Sequence, residues 1–373
     1  MPRLALIGPS HPFRGGIART TTALAAALAA RDGLAGFFTP RRQYPAWLYP
    51  GGADVDPRAC PPLEGADRCF GVLEPWTWPA LRQRLAAAAP DAVVMPYWTW
   101  AWAPLARAVT SWGRPVISVV HNPADHDASW LERRAARAVL GRCRGFLCHA
   151  RSVAAALGES YPGVPSAVHP LPADPVPLPA RNVARRRLGV ADDAVAFLAF
   201  GLLRPYKGTD LLLEAFARLD RGRRAVLLLA GEPWGGVAAD LARRLADPRL
   251  AGRVVAALRW IPEDEAPGWF AAADVAVLPY RAATGSAVAA QAFGAGLPVI
   301  ASRVGGLAEV IADDATGILV PPGDVDALAD ALERILEPEL RARLAAGAAR
   351  AAVGSDWGSY AARLDALVTE ALG

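Results

Sequence analysis

Lysine is almost absent from this chain. Lys207 is the single ammonium side chain, against 39 arginines, so a compact cation on a flexible stem is available at one place only. Cysteine is scarce as well. Cys60, Cys69, Cys143 and Cys148 form no Cys-x-x-Cys pair and have no histidine at zinc-ligand spacing, which excludes a disulfide scaffold or zinc ribbon and leaves free thiols in a reducing cytosol as the expectation. No apolar run suits a signal peptide, since residues 4–8 lead straight into His11, Pro12 and Arg14. The longest uncharged stretch, 282–302, carries Thr284, Ser286, Gln291 and Pro298 and reads as helix, turn and strand rather than a membrane span. No dense basic stripe interleaved with aromatics occurs and the net charge is only +4, which argues against nucleic acid as a partner. A mild positive excess instead suits an anionic small ligand or an acidic membrane surface. The location expected on these grounds is the cytoplasm, with peripheral contact at the inner membrane face left open.

What is present is apolar and alternating. At 373 residues with 53 % apolar side chains, the chain exceeds one ordinary core and is not disordered. Short runs rich in Val, Leu and Ile at 4–8, 91–95, 116–120 and 146–148 each precede an Ala-rich helical stretch. Runs that are apolar throughout suit strands covered on both faces, and strand–helix alternation predicts a parallel sheet. Residues 171–180 then place four prolines in ten positions, the composition of a semi-rigid linker. The alternation restarts at 195–200 and runs through strands near 225–230, 254–258, 275–279, 298–301 and 317–320. The expected division is therefore an N-terminal domain over 1–170, a linker over 171–185, a C-terminal domain over 186–355, and a terminal helix over 356–373 able to pack back on the first domain.

Each half has a glycine-bearing turn where an open parallel sheet binds ligands, at the carboxyl end of its first strand. In the second half the turn is GLLRPYKGTD, residues 201–210. Arg204 and Lys207, three apart and just before Gly208 and a helix start, aim a guanidinium, an ammonium and backbone N–H groups at one place, which suits a diphosphate. Two solvated surface cations are the plainer reading. In the first half the turn is HPFRGGIA, residues 11–18, where Gly15 and Gly16 permit close backbone approach before a helix.

The run GLLRPYKGTDLLLEAF resembles the phosphate-binding turn of retaining glycosyltransferases of family 4, which have the GT-B fold. The likeness continues through LAGEP, WIPEDEAPGWFAAADVAVLPY, AFGAGLPVIASRVGGLAEVIADDATGILVPPGD and SDWGSYAARL, and more weakly through IGPSHPFRGGIARTTTALAAAL and VVHN in the first half. It implies an α/β architecture of two Rossmann-like domains facing across a cleft. It also implies sugar transfer from a nucleotide-sugar such as a UDP- or GDP-hexose to an acceptor hydroxyl held by the first half, with retention of configuration and without metal or other cofactor. By the same resemblance Arg204 and Lys207 neutralise the donor diphosphate and His121 sits beside the transferred sugar. Glu232, Trp260 and Ile261 flank ribose and base, Glu309 meets a sugar hydroxyl, and Gly15 and Gly16 line the donor.

The family's two glutamates, eight apart, are missing: their places hold Ala283 and Gln291. The stretch ATGSAVAAQAF resembles a divergent branch with a Thr-x-Ser cluster there. Thr284 and Ser286 hydroxyls and the N–H groups of Ala287 and Val288 are then expected near the phosphates, with Gln291 at the ribose. Helix capping is the plainer role for Ser286. His11, Trp98 and Trp100 are acceptor candidates. Trp98, Trp100 and Trp102 alternate as though one face of an extended loop were all indole, although a core plug is the commoner use of such residues. Arg133, Arg134, Arg137, Arg142 and Arg144 form a basic stretch, either a solvated face or a contact for anionic lipid. Loss of both carboxylates leaves two alternatives open, a non-catalytic nucleotide-sugar-binding partner subunit and a GT-B phosphorylase or epimerase.

Overall fold

The structure, a computed structural model, describes residues 1–43, 54–58, 62–122, 129–172 and 177–373; Cys60 and His126 lie outside these residues. Two compact units divide the chain. One comprises Met1–Pro170 with Trp357–Gly373, the other Leu171–Asp356.

In chain order the first unit contains β1 (Leu4–Ile7), α1 (Gly16–Ala29), β2 (Leu34–Pro40), β3 (Ala66–Phe70), α2 (Trp78–Ala88), β4 (Ala92–Tyr97) and α3 (Ala103–Val109). It continues with β5 (Val116–Val120), α4 (Trp130–Leu140), β6 (Gly145–Cys148), α5 (Arg151–Ser160) and β7 (Ser166–Val168). The strands pair in parallel in the order β3-β2-β1-β4-β5-β6-β7. Side chains alternate between two cores as the pleat requires. Ala5, Ile7, Val93, Met95, Phe146 and Cys148 join one, while Leu4, Leu6, Ala92, Val94, Ile117 and Leu147 join the other.

The second unit holds α6 (Arg181–Leu188), β8 (Val195–Phe200), α7 (Thr209–Arg218), β9 (Ala225–Ala230), α8 (Val237–Leu245), β10 (Val254–Ala257) and α9 (Ala266–Ala272). After these come β11 (Val275–Leu278), α10 (Ala287–Gly294), β12 (Val299–Ser302), α11 (Gly305–Val310), β13 (Gly317–Val320), α12 (Val325–Arg334) and α13 (Pro338–Ala352). Its parallel sheet has the order β10-β9-β8-β11-β12-β13. The last helix, α14 (Trp357–Leu372), belongs to the first unit, where Tyr360, Ala361, Leu364, Leu367 and Val368 bury against Leu4, Leu6 and Leu147.

Residues 181–185 are helix, not linker. Gly189 closes α6 at φ 67°, a left-handed cap that glycine adopts without penalty. Arg185 is fully buried and donates to the carbonyls of Ala191, Asp192, Ala194 and Ala272, and to Asp274 Oδ2 at 2.6 Å. Asp274 also bonds Arg181 and the Ala196 N–H, so the segment is fastened to the start of β8. Polar anchoring of this kind leaves no apolar periodicity to read. The indole reading of 98–102 also needs correction. Trp100–Trp102 form a 3-10 turn rather than an extended run. Trp102 is 1 % exposed in the core, with Trp98 against it at 4.8 Å between ring centroids, and Trp100 faces solvent.

Candidate functional site

The second sheet reverses its order between β8 and β11, since the chain runs outward through β9 and β10 and returns beside β8. In an open parallel sheet the carboxyl ends of two such strands are where ligands bind. Arg204 and Lys207 are on the loop after β8, Thr284 and Ser286 on the loop after β11.

The loop after β8 is held from both sides. The Leu203 N–H donates to the Glu232 carbonyl and the Trp234 N–H to the Leu203 carbonyl, both at 2.9 Å, which ties it to the loop after β9. Arg204 is extended and its guanidinium lies 5.2 Å from the Trp234 ring. Pro205–Lys207 make a 3-10 turn ending at Gly208, at φ 64°. A Cβ on Gly208 would stand 2.0 Å from the Pro279 carbonyl oxygen, so only glycine lets the turn and the end of β11 approach this closely. Arg281, beyond β11, donates its N–H to the Tyr206 carbonyl at 2.7 Å and pairs with Asp210 through two bonds of 2.9 and 2.6 Å.

Lys207 is thereby placed over the Tyr280 ring, at 5.4 Å from its centroid. Its ammonium and Val288 at the start of α10 both border Gly201, 3.3 and 3.6 Å from where a Cβ there would be. Burial, and then the Arg204 charge, lower the Lys207 pKa to about 8. Among the described residues no carboxylate forms an ion pair with Arg204 or Lys207. Two cations in one turn without a protein counter-charge are costly unless an anion completes the site. Buried Arg204 Nε and Glu232 Oε2 have no hydrogen-bond partner among the described residues, and such groups call for one.

Ser286 caps α10, its Oγ accepting from the Ala289 N–H at 3.3 Å, and hydrogen-bonds Tyr280. Ala287 and Val288 form the first turn and Gln291 the second, partly buried. Ala283, 8 % exposed, gives its carbonyl to the Gly306 N–H. Ile261 is buried in the core, Trp260 partly so, and Glu309 is exposed on α11. The structure thus brings Lys207 and Val288 together at Gly201 and links Ser286 to Tyr280, the ring under Lys207, while Arg204 rests on Trp234 of the adjoining loop that carries Glu232. Trp234, Tyr280 and the Arg281–Asp210 pair support the turn and were not anticipated, although Tyr280 and Asp210 stand inside the motifs VLPY and KGTD.

In the first unit Gly15 caps α1 at φ 108° with open space around its Cα, and Gly16 begins the helix. The His11 N–H donates to Thr22 Oγ1. The His121 N–H donates to the Tyr97 carbonyl at 2.9 Å, and burial, followed by His149, keeps its imidazole well below the usual histidine range. Cys69, Cys143 and Cys148 are buried, with thiols pushed up to about 11, 12 and 12. Among the described residues no helix is long and apolar enough to cross a membrane.

Residues 194–338 match the family described as "Glycosyl transferases group 1" and residues 14–174 that described as "Glycosyltransferase Family 4". Over 187 residues the chain is 37 % identical to a D-inositol 3-phosphate glycosyltransferase of Saccharomonospora viridis, covering 48 % of this chain and 43 % of that protein. The Frankia alni counterpart is 36 % identical over 186 residues, 48 % of this chain and 46 % of it. The matched segment thus spans under half the length of these curated relatives. Sucrose-phosphate synthase from Thermosynechococcus elongatus has the same fold, with a TM-score of 0.80 at 21 % identity over 99 % of this chain and 98 % of that one. HepE of Anabaena, in complex with UDP and glucose, gives 0.78 at 18 % identity over 99 % and 100 %.

Proposed function

This chain belongs to the group 1 glycosyltransferases, family 4, and from that premise we propose that it moves a sugar from a nucleotide-sugar donor to a hydroxyl of an acceptor recognised by the first unit. The observation that carries this reading is the paired Arg204 and Lys207 at the switch point of the second sheet, with no carboxylate among the described residues in an ion pair with either. As the glycosidic bond breaks, negative charge grows on the bridging oxygen of the departing diphosphate. Fixed cations already in place stabilise that charge without reorganisation, by about 3 kcal/mol for each well-placed group. The first turn of α10, with Ala287 and Val288 N–H groups, adds to the same end of the site. Arg204 grips phosphate oxygens as a fork while Lys207 serves as a point charge.

Glu232 is the candidate for the ribose and Gln291 a second, its amide able to donate and accept. Trp260 and Ile261 border the base, and Thr284 and Glu309 take phosphate and sugar hydroxyls. In the first unit Gly15, Gly16 and His121 are the candidates for sugar contact, and His11 and Trp100 for acceptor recognition. Retention of configuration follows if the departing phosphate helps take the acceptor proton on the same face. The two cations then do the work a divalent metal does elsewhere.

A thermal-shift panel of UDP, GDP, dTDP and ADP tests the site, because a ligand bound to the folded state raises its melting temperature by mass action. At least one nucleotide is expected to stabilise the wild type and not Lys207→Met. A panel that leaves the melting temperature unmoved overturns the reading. Binding without release of the nucleoside diphosphate, across a broad set of acceptors, favours the partner-subunit alternative. That alternative draws its support from Ala283 and Gln291 at the places of the family's glutamates.

A further inference from the structure

Three of the five histidines follow directly on three adjacent strands: His121 on β5, His149 on β6 and His169 on β7. In the parallel register Val120, Cys148 and Val168 are side by side, so the three imidazoles form a row along the carboxyl edge of the first sheet. The His121 and His149 ring centroids are 4.6 Å apart. His149 is 5 % exposed and its Nδ1 lies 3.3 Å from the His169 carbonyl oxygen. A carbonyl only accepts, so Nδ1 carries the proton, which makes Nε2 the bare nitrogen of the neutral ring. Tyr360 of α14 stacks on His149 at 5.9 Å and meets His169 edge-on at 5.2 Å. Ser359 bonds His169 Nε2 at 3.1 Å, and His169 Nδ1 donates to the Pro170 carbonyl at 2.7 Å. The row is therefore fixed at its far end by the first turn of the last helix.

We propose that His149 is a positioning residue for His121: locked as the Nδ1–H tautomer by the His169 carbonyl, it fixes the neighbouring imidazole in orientation and keeps it uncharged. The inference rests on the reading that places His121 beside the transferred sugar. Its chemical content is that His121 meets the donor as a neutral hydrogen-bonding group rather than as a third cation on the phosphates. Two buried imidazoles this close cannot both be charged without strong repulsion. Burial, eased by the His169 bond, brings the His149 pKa down to about 4. Among the described residues the titratable groups recorded around it are His121, His169, Tyr360 and Cys148, none of them a carboxylate that would favour its protonated form.

Nitrogen-15 spectra of the histidine rings in the full chain test the arrangement without any assay of transfer. His149 is expected as the Nδ1–H tautomer, with the His121 and His149 rings both neutral from pH 8 down to pH 6. An Nε2–H tautomer at His149, or a charged His121 at pH 6.5, overturns the proposal. Kinetics give a second measurement. His149→Phe keeps a flat aromatic ring but removes the Nδ1–H, and kcat is expected to fall on the order of tenfold or more with donor KM within twofold, as misplacement of a contacting group does. His149→Asn offers an amide N–H to the same carbonyl and is expected to recover most of that loss. Wild-type kcat in a folded His149→Phe protein overturns the proposal. If instead His121→Ala transfers sugar normally while His149 shows the expected tautomer, the row stands and the placement of His121 at the sugar is what fails.

Discussion

Replacing Lys207 by Met removes the ammonium and keeps most of the stem. In the fold that ammonium is partly buried beside a second cation, and its pKa falls from 10.5 to about 8. A depressed lysine value means the folded state disfavours the charged form. The cost is fully present below about pH 8 and fades between pH 8 and 10.5, as the unfolded chain would lose its proton too. Discounted for partial exposure, it is on the order of 2 kcal/mol. Lys207→Met should therefore melt no lower than the wild type at pH 7, and a few degrees higher if the whole of that cost is relieved. Activity should move the other way. Loss of one group that stabilises the departing diphosphate costs about a hundredfold or more in kcat/KM. In the wild type kcat/KM should fall as pH rises through about 8, by about tenfold per pH unit beyond it, because that parameter follows the free enzyme's ionisations. The assay is release of nucleoside diphosphate across pH 6.5–9.5, with scanning calorimetry on both proteins. Transfer by Lys207→Met within tenfold of the wild type would refute the reasoning, as would a marked loss of stability with activity kept.

Three shorter predictions accompany it. Ala283→Glu, which restores a family carboxylate, should not raise turnover; burying that side chain where Ala283 is 8 % exposed should lower stability by about 2 kcal/mol or more, seen in urea unfolding. Arg185→Met leaves Asp274 without its buried partner and should cost about 3–5 kcal/mol, also read from urea midpoints, with α6 loosened in hydrogen exchange. Activity should persist after exhaustive dialysis against EDTA, and restoration of lost turnover by a divalent ion would contradict the metal-free mechanism.

Both parallel sheets were legible because strands such as VISVV and AVLLLA are apolar on both faces and alternate with helices. β2, β3 and β7 were not, for three different reasons. β2 contains Gly36 and ends on Pro40 within LAGFFTP, β3 is the charged edge segment ADRCF, and β7 has only three residues at the other edge. Helix α6 was hidden because arginine hydrogen bonds, not an apolar stripe, hold it. At the site, Arg204 and Lys207 were readable since charge and glycine spacing suffice to place a turn. The Arg204–Trp234 stack, the Lys207–Tyr280 contact and the histidine row join residues far apart in the chain. Only the strand order reveals them.

The placement of α14 has a bearing on how the polypeptide matures. Residues 171–356 are spliced into the first unit, whose cluster of Leu4, Leu6, Leu24, Leu28 and Leu147 stays incomplete until Leu364 and Val368 have emerged from the ribosome. The middle portion can fold while the beginning waits for its lid, so the earliest-made half is the last to be finished. Trimming the fourteen residues after Ser359 would strip that lid and open this cluster to aggregation, with the second unit untouched.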